Sequence, residues 1–164
     1  MRWVPLLIVL ILVVLSGALI IPRTKNKHKR YFLIIVLFYV AFLGSILFTP
    51  ISINGLEIHR MPLGTGRVNL TQLDLNDIGF VENIILTIPL GIIIKKLFRN
   101  IPILVMVLLG LFFGTTFETI QFYLSQYLLM NRTSDINDVL SNATGIVIGS
   151  LLVVLYRHLQ RNQQ

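Results

Sequence analysis

The sequence predicts an all-α protein: a polytopic membrane bundle of five transmembrane helices, with its amino terminus outside and its carboxyl terminus in the cytoplasm. Three observations lead there. Of 164 residues, 55% are hydrophobic, and the mean hydropathy of +0.81 exceeds that of a soluble domain of this size. The apolar residues fall in long runs, and a bilayer core asks for about 20 residues per helical span. The net charge of +7 comes from Lys and Arg at the ends of those runs, where membrane orientation places them. They form no basic helix or aromatic-interleaved patch, so the charge does not point to nucleic acid. The chain has no cysteine, which removes disulfides, thiolate nucleophiles and cysteine metal sites.

The first run, Trp3 to Ile21, contains Ser16-Gly17-Ala18, a fair imitation of a signal-peptidase site. The run is longer than a usual signal core, only Arg2 precedes it and a basic cluster follows, so a retained span is expected. Tyr31 to Phe48 forms the second. Gly79 to Ile94 is weaker and carries Glu82, Asn83, Thr87 and Pro89. Ile101 to about Leu124 holds Glu118 and Gln121; about Asn137 to Tyr156 holds Asp138 and Asn142. Residues 1–48 thus supply two helices and a basic linker. Residues 49–164 supply an extracytoplasmic loop and three helices.

Orientation follows from Lys and Arg. Arg23, Lys25, Lys27, Lys29, Arg30, Lys95, Lys96, Arg99, Arg157 and Arg161 share one side; Arg2, Arg60, Arg67 and Arg132 share the other. The richer side is cytoplasmic by the positive-inside rule. Glu57, Asp74, Asp77, Glu82, Glu118, Asp135 and Asp138, all seven acids, then lie outside or near the outer leaflet. The rule does not count acids, so this is separate information.

Helical spacing sorts polar and small residues of the last three runs onto single faces. The faces are Asn83, Thr87 and Gly91; Gly110, Gly114, Glu118, Gln121 and Ser125; and Asp138, Asn142, Gly145 and Gly149. Small residues at this spacing let helices approach closely in lipid, and polar side chains there face the bundle. Glu118, Gln121, Asp138 and Asn142 are therefore expected to line one polar pocket with Arg132 at its rim.

Asp135 and Asp138 stand like a capping box at the start of the fifth helix, the second acid reaching back to the first. Both also suit the positive end of the helix dipole. Glu82 reads as a first-turn acid of the third helix. Glu118 has no such support. It lies roughly 26 Å up its helix from Ile101, near the outer edge of a ~30 Å core, toward the end where the dipole disfavours an anion. It needs a partner, and Arg132 is the nearest guanidinium in sequence. Either the pair ties down the loop, or the carboxylate contacts or transforms a ligand.

These residues carry a family resemblance. Val68-Asn69-Leu70 is followed by Asn83-x-x-Leu86-x-x-Pro89-x-Gly91, Glu118-x-x-Gln121, and Asp135-x-x-Asp138-x-x-x-Asn142-x-x-Gly145. Together, from about Arg67 to Gly149, they resemble the VanZ-like family of bacterial integral membrane proteins, whose founding member is associated with teicoplanin resistance. The chain departs at Gln72-Leu73, where the family continues toward Pro-Phe, and at Thr87, where an aromatic is common. The resemblance implies a multi-pass protein of the bacterial plasma membrane with a cell-envelope role, and reduced susceptibility to glycopeptides. Membership alone gives no mechanism.

Three functions compete. The favoured one is a non-enzymatic protein that recognises a lipid-linked wall component or amphiphilic antibiotic in the outer leaflet through Asn83, Glu118, Gln121, Arg132, Asp135, Asp138 and Asn142. Acids and amides suit the hydroxyl, amide and ammonium groups of such ligands, and helix walls suit an acyl tail. The alternative is a membrane-embedded hydrolase or transferase with Glu118 as general base and Asp138 as its complement. A third is a structural partner for another envelope protein. No cofactor is expected. No His-Glu-x-x-His occurs, and His28, His59 and His158 lie in linkers or the tail, so no metal site is read. The sequons at Asn69, Asn131 and Asn142 carry no meaning in a bacterial chain.

Overall fold

The computed structural model describes residues 1–54 and 57–163; the side chains of residues 52–57, Glu57 included, lie outside the described residues. Five helices form: α1 (Val4–Ile20), α2 (Lys27–Leu47), α3 (Ile78–Leu97), α4 (Ile103–Leu128) and α5 (Ile136–Arg161). Helices α2 to α5 are each long and apolar enough to cross a membrane. With 17 residues, α1 measures about 26 Å, a little short of a ~30 Å core.

Local chemistry sets the ends. Pro5 occupies the first turn of α1, where its missing N–H would have had no partner anyway. The Asn26 side chain accepts from Lys29 N at 3.1 Å and caps α2, so this helix begins four residues before the apolar run. Helix α3 begins at Ile78, with Asp77 as its N-cap, which leaves Glu82 in the second turn, not the first. Pro102 precedes α4, and Leu129 (φ 54°) ends it in a left-handed conformation.

The segment from α2 to α3 is not uniformly irregular. Strands β1 (Ile51–Asn54) and β2 (Glu57–Arg60) pair antiparallel, Ile51 opposite Arg60. Strand β3 (Val68–Asn69) runs parallel to β4 (Ser134–Asp135), with Asn69 opposite Asp135. This small parallel ladder joins the loop to the start of α5. It is the fold feature that matters most for the site.

Helix α5 is the hub, flanked by α3 and α4. It has the densest burial, from Asn137 to Val153. Glycine permits this packing where backbones nearly touch: a Cβ on Gly91 would lie 2.1 Å from the Ile146 carbonyl oxygen, and one on Gly149 2.1 Å from that of Ile88. On the other flank, Gly110 and Gly114 meet Ala143 and Val139. Ile94, Met106 and Ile146 form an apolar plug in the half of the bundle away from the β3–β4 ladder. Tyr39, Leu43 and Leu47 of α2 pack on Leu86, Leu90, Ile93 and Phe117, and the Tyr39 hydroxyl donates to the Leu86 carbonyl at 2.8 Å. At the end away from the β3–β4 ladder Lys95 donates to the Ile101 carbonyl, and Arg157 to that of Lys95 at 3.1 Å.

Candidate functional site

The polar faces converge where α3 and α5 begin and α2 and α4 end. On α4 the stripe read from spacing is the buried one: Glu118 is 7% exposed, Gln121 3% and Ser125 0%. Its acid makes an unexpected contact. Glu118 Oε2 accepts from the backbone N–H of Asp135 at 2.8 Å, and the Ser134 hydroxyl donates to the Glu118 carbonyl at 3.0 Å.

That contact rewrites the expected capping box. Asp135 does cap α5, its Oδ1 accepting from Asn137 N at 2.9 Å. The reciprocal bond to the cap's own N–H, expected from Asp138, comes instead from Glu118 of the preceding helix. Asp138 is thereby released to accept from Asn83 Nδ2 at 2.7 Å. A capping box completed from another helix explains how a carboxylate persists near the wrong end of α4: it answers to the positive end of α5.

The expected Glu118–Arg132 ion pair does not form. Arg132 Nη1 donates to the carbonyls of Ile46 (2.8 Å), Leu47 (3.3 Å) and Thr49 (3.3 Å). Gln121 Nε2 joins it on Leu47 O at 3.1 Å. The physical reason is the end of α2: its last carbonyls lack intrahelical partners, and a cation there also meets the negative end of the dipole. Burial pushes the Arg132 guanidinium below its ordinary pKa, while the nearby Glu118 and Asp138 carboxylates act against the shift. Its backbone is fixed as well, Arg132 N donating to Ser125 Oγ at 3.0 Å.

Of the residues read from sequence, Glu118 and Asp135 thus form one hydrogen-bonded pair and Asp138 and Asn83 another. Gln121 and Arg132 clamp the end of α2. Asn142 is 2% exposed and makes no hydrogen bond among the described residues. Three further residues belong here. Asn69 Nδ2 donates to both Asp135 carboxylate oxygens (3.0 and 3.1 Å). Asn137 donates to Gln72 O at 2.9 Å and accepts from Asp74 N at 3.0 Å. Gln72 therefore contributes its carbonyl where the chain departs from the family pattern. Thr87, the other departure, donates to Asn83 O at 2.8 Å, and a Cβ on Gly145 would lie 2.2 Å from its hydroxyl. A larger side chain would part the helices.

Arg2 was read only as an orientation signal. It is 9% exposed and donates to the carbonyls of Met61 (3.0 Å), Pro62 and Met130 (both 3.2 Å). Among the described residues its Nε is the fully buried side-chain nitrogen left without a partner. A lone arginine ahead of a long apolar run was the available signal. Among the described residues, no three His, Asp or Glu side chains gather closely enough to hold a metal ion.

No curated protein and no solved structure matches the chain. A family model, described as VanZ/LLP1, matches residues 6–157. That match reaches into all five helices and takes in the site. The chain belongs to the VanZ/LLP1 family, and with its apolar helices it is a membrane protein of the VanZ type.

Proposed function

We propose that this protein sits in the bacterial plasma membrane as a five-helix bundle with external amino terminus. In this reading it recognises an envelope amphiphile, a lipid-linked wall component or a lipid-targeting glycopeptide, at the outer leaflet. The observation that carries it is a buried carboxylate, Glu118, beside Asp138 and an Asn142 without a hydrogen bond among the described residues, at one end of an apolar bundle. Polar and ionisable residues at such depth are costly, and function is the default account of their presence. Exposed aromatics support the placement: Trp3, Tyr123 and Tyr127 are at the end that holds the site, Tyr31, Phe98 and Tyr156 at the other. Such residues collect at the two membrane interfaces.

Glu118→Gln tests the function. Glutamine keeps size and can still accept from Asp135 N, so the helix junction survives while the charge is lost. The variant is expected to insert normally and to lose the protein's effect in a teicoplanin-susceptibility or envelope-stress assay. Full activity would remove the carboxylate from the mechanism. The enzymatic reading is favoured by the unequal settings of two carboxyl groups, one on a backbone N–H and one on an amide. Ligand binding retained without turnover in Glu118→Gln or Asp138→Asn would select it.

Topology is tested separately, helped by the absence of cysteine. Single cysteines at Asn131 and Asn26 are expected to react with an impermeant thiol reagent in intact cells at the first position and not the second. The reverse labelling would invert the proposed orientation.

A further inference from the structure

The seam between α3, α4 and α5 has an excess of unused acceptors, and this bears on the ligand's chemistry. One oxygen of Glu118 is taken by Asp135 N, and one of Asp138 by Asn83; the other oxygen of each has no hydrogen bond among the described residues. Asn142 stands one turn further along α5 from Asp138, 2% exposed and with its amide unpartnered among the described residues.

Helix geometry places Asn142 in the seam. Gly145 and Gly149 touch α3 at Ile84 and Ile88, whereas Val139 and Ala143 touch α4 at Gly114 and Gly110. At 3.6 residues per turn, Asn142 falls between these two flanks. Beyond it Met106 and Ile146, both 0% exposed, close the seam with apolar atoms.

The two arginines at this end with side-chain hydrogen bonds spend them on the main chain. Arg132 grips the carbonyls that end α2, and Arg2 those of Met61, Pro62 and Met130. A phosphate entering the seam would face two carboxylates, while the nearby Arg132 gives its hydrogen bonds to the end of α2. An N–H-bearing cation would meet acceptors on two helices and offset their charge, and charge-assisted hydrogen bonds are the strong ones.

We propose that the seam binds the primary ammonium group of an outer-leaflet amphiphile, with Glu118 and Asp138 as charged acceptors and Asn142 contributing its side-chain oxygen. The inference rests on the reading of this seam as the ligand site. It narrows that reading to amine-bearing ligands, whether the amine belongs to a lipid headgroup or to a sugar.

The test uses the full chain purified in detergent and titrated, by native mass spectrometry, with dioleoyl phosphatidylethanolamine, phosphatidylglycerol and phosphatidylcholine. The ethanolamine lipid is expected to bind roughly tenfold or more tightly than the other two, because only it brings ammonium N–H donors. Glu118→Gln and Asp138→Asn should each remove most of that preference. Should either fail to fold, Asn142→Leu, apolar and of similar volume, should weaken binding of the ethanolamine lipid alone. Octylamine displacing the lipid assigns the amine to a headgroup carried on a chain; displacement by glucosamine assigns it to a sugar. Binding of phosphatidylglycerol as tight as that of the ethanolamine lipid, or amine binding unchanged in all three variants, overturns the proposal. Loss of cellular activity in Glu118→Gln without any amine preference would overturn it too while leaving the site standing. Full activity in that variant would strike the site itself.

Discussion

Arg132→Ala is expected to loosen α2 from the rest of the bundle and to cost about 3 kcal/mol of stability. One nitrogen of this side chain serves three carbonyls at the end of α2. Water cannot easily replace it, because Leu47 and Thr49 are buried. The same change leaves Glu118 and Asp138 without the nearest positive charge. Gln121 still holds Leu47 O, so the end of α2 should loosen without leaving the bundle. Thermal or denaturant unfolding in detergent measures the cost. Arg132→Lys should recover part of it, since an ammonium reaches the same carbonyls with fewer fixed donors. A loss below about 1 kcal/mol, within the range of an ordinary hydrogen bond, would show that the clamp does not hold α2.

The second large effect is expected at Gly91. Alanine there puts a methyl 2.1 Å from the Ile146 carbonyl oxygen, a distance only a shift of α3 against α5 can relieve. About 3 kcal/mol is the expected cost for alanine, at the upper end of ordinary overpacking, and Gly91→Leu should prevent folding. Gly17→Ala is the control: the nearest atom to its Cβ is the flexible end of Leu37 at 3.3 Å. If Gly91→Ala and Gly17→Ala lower the unfolding midpoint equally, close backbone approach is not what stabilises the core.

Hydropathy located the helices well, because a span must be apolar over a set length whatever it packs against. Helical spacing also found the buried stripe from Gly110 to Ser125. The partners of the polar residues were less legible. Arg132, Gln121 and Arg2 all donate to main-chain carbonyls, and a carbonyl leaves no letter in a sequence. Pairing Arg132 with Glu118 matched side chain to side chain because those are the groups a sequence displays. The Glu118–Asp135 contact was hidden for the same reason, its donor being a backbone N–H. Strands β3 and β4, two residues each, are too short for alternation to show. Asn69 therefore stood in the family pattern without an evident role until the ladder set it opposite Asp135.

The position of α5 as hub has a consequence for how the protein is made. Ribosomal synthesis delivers α3 and α4 before the helix that joins them. Until then Asn83 lacks Asp138, Glu118 lacks the Asp135 N–H, and the glycine faces of both earlier helices have no backbone to meet. These helices must wait in the translocon or bilayer with their polar groups unmatched, and the arrival of α5 answers them together. Closure of this bundle is thus expected to be late and concerted, and a nascent chain stalled before α5 should expose the same polar groups that the finished protein conceals.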